Sequence, residues 1–477
     1  MSKFLHAWSA RGGRWHLAPL VWTAVLVTLA GCSAAPLPEL KPSVPDAWRN
    51  MPNDARPVQA DLRDWWKALE DPQLNALVER ALQDNLELAQ AAERLRAART
   101  LNGHSHDNYL PSLNLRTNDV IDPDATASFF IVGFDAIWEL PLFGAWTNAK
   151  RVGQAQEDQA QAAMQGARVS LVAEVVRTWI ELRSAQQQWA ALSDIRDAQS
   201  EKLRLAEVRE NLHLGASLET QRARAELARA NADLAAPQQQ ITSKAQQLAV
   251  LLGQSEPDAA WLEPGPQPQL GNYQVTQAPG DLLRTRPEIN AAEAEVLRAA
   301  GEAGLSKADI YPHLGIGTSL QWSANLVRNR RVRTSDGIFS IGPVIDVPLF
   351  DWGKRKAEAS AKNHQLTAAV YAYRQAVLQG VAEVESAMGE LQQSHMRETS
   401  SQQAMDALSL AMEATRKRHE FNLASGQEVQ DSQLDRQRAR LQLIEARAAR
   451  DLAYVSLYKA LGGAPIDADT KHGAAKK

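Results

Sequence analysis

Two groups of side chains in this sequence have reactive chemistry to offer. The sole cysteine, Cys32, directly follows the small residues of Leu29-Ala30-Gly31, at the end of an apolar run from Leu17 that Lys3, Arg11 and Arg14 precede. A thiol can carry an acyl chain, and such chains would hold it at a bilayer, at roughly 0.8 kcal/mol per buried methylene. His104, Ser105, His106 and Asp107 form the compact cluster of metal-capable groups. They fall near a predicted helix end, where surface and capping roles suit them better than ligation. No glycine-rich phosphate loop follows a strand pattern. Catalysis finds no support, so the chain is not expected to be an enzyme, and no cofactor or metal is expected.

Stepping outward from Cys32, the apolar run before it is too short and one-sided for a stable span and reads as a secretory signal over residues 1–31. Leu29-Ala30-Gly31-Cys32 resembles the lipobox of bacterial lipoproteins, and Ser33 in place of Asp implies the outer membrane rather than retention at the inner one. Residues 32–70 are rich in proline and poor in apolar periodicity, as an extended lipid-anchored segment would be. The 477 residues carry a formal net charge of −4 with 44% hydrophobic and 23% charged residues, which leaves no basic excess for nucleic acid. After Leu29 no apolar stretch reaches about 20 residues, so a membrane crossing in the mature chain must be made of strands closed into a barrel.

The chain repeats itself. Leu140-Pro141-Leu142-Phe143 returns as Val347-Pro348-Leu349-Phe350, and each motif ends a strand pattern and opens a helical one. In the first copy Phe130, Val132, Phe134, Ala136, Trp138 and Leu140 alternate with Gly133, Asp135 and Glu139. In the second, Leu314, Ile316, Leu320 and Trp322 oppose Gly315, Gly317, Ser319 and Gln321, and Phe339, Ile341, Ile345 and Val347 oppose Ser340, Gly342 and Asp346. Two hairpins of this kind cannot close a barrel alone, whereas three copies of the chain supply about twelve strands, enough to leave water inside. Trp138 and Trp322 suit an aromatic belt at the membrane interface or a plain core role.

A helical pattern without proline follows each hairpin, from Trp146 to about Asn211 and from Gly353 to about Phe421. Reversals come at Leu214-Gly215-Ala216-Ser217 and Leu423-Ala424-Ser425-Gly426, and the returning helices stop at Leu252-Gly253 and Leu461-Gly462, each pair about 209 residues apart. The helices before the hairpins, about Pro72 to Tyr109 and Pro287 to Ile310, are expected to stack end to end on the returning ones. Apolar seams such as Leu171, Val175, Trp179 and Leu182 are narrow, as suits helices side by side in a wall wetted on both faces.

Trp65-Trp66, Asp71-Pro72-Gln73-Leu74, Asn85, Trp138-Glu139-Leu140, Phe143-Gly144, Arg286-Pro287-Glu288, Gly342-Pro343, Pro348-Leu349-Phe350 and Gly353 occur in the order and spacing of a known family. Over nearly its whole length the chain resembles the TolC family of outer-membrane efflux factors, in particular its lipoprotein members. The resemblance implies a mainly α fold with a small β part: a long α-helical barrel protomer plus four membrane β-strands, with an internal twofold repeat and a barrel completed by trimerisation. It implies an outer-membrane channel subunit of a tripartite pump that exports drugs or other small toxic solutes, docked to a periplasmic adaptor and an inner-membrane transporter. The corresponding organisation is a first repeat over residues 71–253, an equatorial linker insert over 254–285, a second repeat over 286–463 and a tail over 464–477. The tunnel would narrow where the long helices turn, which makes Glu428, Asp431 and Asp435 the candidates for an acidic pore entrance. Arg209 and Arg418, at matching positions before the reversals, are expected to tie neighbouring helices together. The rival from another class is a pore-free periplasmic coiled-coil scaffold or adaptor lipoprotein.

Overall fold

A computed structural model describes residues 37–41, 44–50, 64–120, 129–271, 285–325 and 337–463; Cys32 and the signal segment lie outside the described residues. These fall into two compact units. One comprises Ala97–Asp158 and Glu293–Ala372, the other Lys41–Arg96, Gln159–Ala292 and Tyr373–Lys477.

The first unit holds an antiparallel sheet. Strands β1 (Ser112–Val120), β2 (Phe129–Glu139), β3 (His313–Asn325) and β4 (Ile338–Asp346) lie in the order β1-β2-β3-β4, so the two hairpins join edge to edge through β2 and β3. Register then sorts the side chains by face. Leu115 lies opposite Phe134, Phe134 opposite Leu320 and Leu320 opposite Phe339, which gives one continuous apolar face. The other face carries Asn114, Asp135, Ser319 and Ser340 in line and is knit by Glu139 to His313 at 2.9 Å, Gln321 to Asp135 at 3.2 Å and Ser319 to Ser340 at 2.9 Å.

Pro343 would be out of place inside a sheet, because it has no N–H for the ladder. The parity of the ladder shows where its nitrogen points. Leu140 donates to the carbonyl of Leu314 at 2.8 Å, so the even residues of β3 bond β2 and the odd ones bond β4. Pro343 lies opposite Ile316, an even residue, and its nitrogen therefore faces away from β3 at the open edge.

The second unit is helical, and its joints explain its continuity. Helix α1 (Pro72–Asp84) starts on Asp71, whose carboxylate accepts from the N–H groups of Gln73 and Leu74. It does not run on to Tyr109 as the periodicity suggests. Asn85 turns extended, ends α1, and caps α2 (Leu86–Gly103) by accepting from Leu88 N–H at 2.8 Å. The same side chain donates from Nδ2 to the carbonyl of Leu251, where α5 (Ala235–Leu251) ends. At the matching joint the Thr285 hydroxyl donates to the carbonyl of Leu461, just beyond α9 (Gly426–Ala460) and just before α7 (Pro287–Ala308). Returning helices thus meet the starts of α2 and α7 end to end.

Between these come α3 (Ala145–Asn211), α4 (Ser217–Asp233), the short α6 (Ala259–Leu262) and α8 (Lys354–Glu420); α3 and α8 are 67 residues each. The first return is cut into α4 and α5 at Leu234 because Pro237 has no N–H for the Asp233 carbonyl. Its counterpart α9, without a proline, is unbroken. The core of this unit gathers where Trp65 stacks on Tyr458 at 5.2 Å and receives the Tyr454 hydroxyl on its carbonyl at 2.9 Å. Trp179, fully buried, donates its indole N–H to Asp71 at 2.7 Å, which ties α3 to the cap of α1.

Candidate functional site

No helix among the described residues is long and apolar enough to cross a membrane. The sheet has the opposite character. Leu113, Leu115, Phe134, Phe339, Ile341 and Ile345, all on its apolar face, are exposed. Burying a side chain of this kind is worth roughly 1.5–3 kcal/mol, so a full apolar face left in water would forfeit a sum comparable with the whole stability of a domain. Lipid on that side and water on the other suit the two faces, the outward one apolar and the inward one mixed, with Ile137, Ile338 and Val344 among its polar residues. Both outer strands also show unpaired backbone, and only closure removes such edges. Trp138 sits on the outward face near the end of β2, half turned to solvent, with its indole N–H on the carbonyl of Tyr109 at 3.1 Å. Trp322 lies on the same face of β3.

The two reversals of the second unit are built alike. His213 (φ 50°) and Asn422 (φ 56°) take the left-handed conformation, which suits Asn and His better than most residues. The next residue closes the turn in each: Leu214 N–H donates to the Arg209 carbonyl and Leu423 N–H to the Arg418 carbonyl, both at 2.8 Å. Gly215 and Ala424 stand two residues past the left-handed position and neither has positive φ, so the glycine-to-alanine difference between the repeats leaves the turn unchanged.

Glu428, Asp431 and Asp435 follow the second reversal at spacings that place them on one stripe of α9, and all three are exposed. Each has a local partner. Glu428 closes a capping box with Ser425, whose N–H and hydroxyl meet its carboxylate at 3.1 Å. The backbone N–H of Ser425, then its hydroxyl, and the charge of Arg418 hold that carboxyl below its ordinary value. Asp431 pairs with Lys202 of α3 at 2.7 Å, and Asp435 with Arg438 at 3.4 Å. Lys202 carries no local signal in the sequence, since it meets Asp431 only through the packing of α3 on α9.

Of the two arginines expected to tie helices together, one does so. Arg209 reaches the second repeat, donating to Gln427 Oε1 at 3.1 Å, with Glu219 at 3.7 Å. Arg418 instead turns back on its own reversal and donates to the carbonyl of Leu423 at 3.0 Å, a carbonyl left without a helical partner past the helix end. In the first unit His104 meets Asp107 at 2.6 Å, and the His106 ring lies 4.3 Å from that of Trp146.

The family model described as outer membrane efflux protein matches residues 77–254 and 278–463. The pyoverdine export outer membrane protein OpmQ of Pseudomonas aeruginosa is 25% identical over 461 residues, covering 93% of this chain and 96% of its own. Outer membrane protein OprJ of the same organism is also 25% identical, over 92% of this chain and 94% of its own. The solved structure of the outer-membrane channel OprN superposes with a TM-score of 0.79 at 27% identity, covering 91% of this chain and 99% of that one.

Proposed function

Because the chain belongs to the outer membrane efflux protein family, the TolC-type channels, we infer that it is the outer-membrane channel subunit of a tripartite efflux pump. It works as a homotrimer with a periplasmic adaptor and an inner-membrane transporter, and conducts drugs or other small toxic solutes outward. The observation that carries this reading is the four-stranded sheet with one apolar face, one polar face and two unpaired edges. Three such sheets give about twelve strands, enough for a water-filled bore. Energy comes from the transporter, and the chain itself is a passive conduit. The printed name of the OpmQ relative assigns it pyoverdine export; in this chain the cargo is set mainly by the pump.

Three finer assignments belong to the same reading. Acylation at Cys32, after removal of residues 1–31, anchors the N-terminus in the outer membrane, and residues 32–70 tether it to the body. The body consists of repeats over 71–253 and 286–463 with the insert over 254–285 between them, and a tail over 464–477. Glu428, Asp431 and Asp435, repeated by threefold symmetry, line the inner entrance and favour cations; the exposure of all three on one helical stripe supports this, while Lys202 beside Asp431 tempers the field.

Reconstitution of the detergent-purified protein into planar bilayers tests the channel. Discrete conductance steps are expected, whereas a silent bilayer would point to the pore-free scaffold. In the same recordings a triple variant with Glu428→Gln, Asp431→Asn and Asp435→Asn is expected to lower the preference for cations over anions. An unchanged preference would remove these acids from the entrance.

A further inference from the structure

The internal repeat contains, inside one chain, the geometry of a contact that the lone chain leaves open. Where the first hairpin meets the second, Leu140 donates to Leu314 at 2.8 Å. The turn beyond β2 then folds so that Phe143 (φ 54°) stacks on Tyr311, ring centroids 4.5 Å apart. Every part of this joint has a copy. Gly144 and Gly353 share φ 80° at the start of the two long helices, which makes Trp352 (φ 56°) the counterpart of Phe143. On the other side, Pro111 and Pro312 each stand just before a strand, so Leu110 is the counterpart of Tyr311 and Leu113 of Leu314. The same step in sequence relates Asp84 to Thr285, whose carbonyls lie against Gly253 and Gly462 in the same way, so the correspondence holds along the whole segment.

The copied halves are left open to solvent: Trp352, which meets the Phe350 ring edge-on at 4.8 Å, is still 91% exposed, Leu113 is 71% and Leu110 44% exposed. Resting on the trimer reading above, we propose that the seam between protomers reproduces the β2–β3 joint, with β4 of one chain against β1 of the next and Trp352 seated on Leu110. Transferring the internal register sets Asp346 opposite Asn114 and Ile345 opposite Leu115, with Val347 N–H donating to the Leu113 carbonyl. The faces agree independently: Asp346 and Asn114 both belong to the polar face, Ile345 and Leu115 to the apolar one. A slip of one residue would turn apolar side chains inward. The second turn is two residues longer than the first, through Asp351 and Trp352, and the larger indole reaches a smaller partner, leucine in place of tyrosine.

Cysteine pairs read the register. Asp346 and Asn114 form a non-hydrogen-bonded pair at the seam, with Cα atoms about 4.5 Å apart, suited to a disulfide. Within one chain they lie on opposite edges of the sheet, about 14 Å apart in strand spacings alone, too far to bridge. Oxidation of an Asp346→Cys, Asn114→Cys variant is expected to give covalent oligomers that reductant removes, absent from the unsubstituted protein. Pairing Asp346→Cys with Ser112→Cys or Arg116→Cys should give little. Linkage through 112 or 116, or none through 114 in a variant that is trimeric under reduction, overturns the register. Trp352→Ala and Leu110→Ala should each lower the temperature at which detergent-solubilised trimers dissociate, and the double variant should fall no further than the weaker single. Full additivity separates the two residues and overturns the clasp. Light scattering on the unsubstituted protein keeps the readings distinct: a trimer with the wrong linkage fails the seam alone, while a monomer fails the channel with it.

Discussion

Asp451 is fully buried and shares its neighbour Arg450 with Glu398: the guanidinium lies 2.6 Å from Glu398 and 2.8 Å from Asp451. Burial outweighs the attraction of Arg450, and with Glu398 adding repulsion against the help of Arg447, the carboxyl is pushed up from 3.8 to about 6. A folded-state value above the unfolded one means that the group favours folding fully below about pH 4 and loses that contribution as pH rises through about 6. A shift of this size corresponds to on the order of 3 kcal/mol. Asp451→Asn should therefore gain in thermal midpoint relative to the native protein as pH is raised from about 5 to about 8. A difference that stays constant across that range would show that Asp451 does not titrate there. Nothing in the local sequence marks this residue, because its burial and its shared arginine arise only when α8 packs on α9.

At the scale of elements, glycines that look alike do different work. Gly253 has φ 70° and faces the carbonyl of Asp84, which an added Cβ would approach to 2.7 Å. Gly215 has ordinary φ, and its Cβ would lie 3.1 Å from the Arg209 Cβ and in ordinary contact, at 3.5 Å, with the backbone of Arg209 and Glu210. Gly253→Ala should cost about 2 kcal/mol or more, visible as a lower thermal midpoint, whereas Gly215→Ala should stay within about 0.5 kcal/mol, as Ala424 already does in the second repeat. The same contrast explains what could be read in advance. Strands, long helices and reversals follow from period-2 alternation, unbroken helical runs and an internal copy, all of which are local patterns. The break at Asn85 left no such mark, since α1 and α2 share a helical pattern and only the meeting with Leu251 selects the extended residue between them. Likewise the three acids of α9 were visible as residues, but their partner Lys202 was not.

For the whole molecule, the proposed anchor and the barrel would be separate attachments to one membrane. Acyl chains on Cys32 would act at the N-terminus, while the apolar face of the sheet is built from one hairpin inside each repeat. Mass spectrometry of the mature N-terminal peptide is expected to find Cys32 as its first residue, acylated, and Cys32→Ser should abolish that species. Conductance should survive the substitution in reconstituted protein, because no residue of the sheet changes. An unmodified Cys32 in the native protein would remove the anchor and leave the barrel standing.

Pro343 bears on the time before three chains have met. A solitary subunit travelling through the periplasm carries a bare strand edge, the kind of surface that recruits stray polypeptides into runaway stacks. With its nitrogen turned outward, Pro343 leaves a gap midway along that edge, so a foreign strand can engage only a few residues on either side. The proper neighbour overcomes the gap by gripping beyond the strand as well, and an impostor has nothing there to hold.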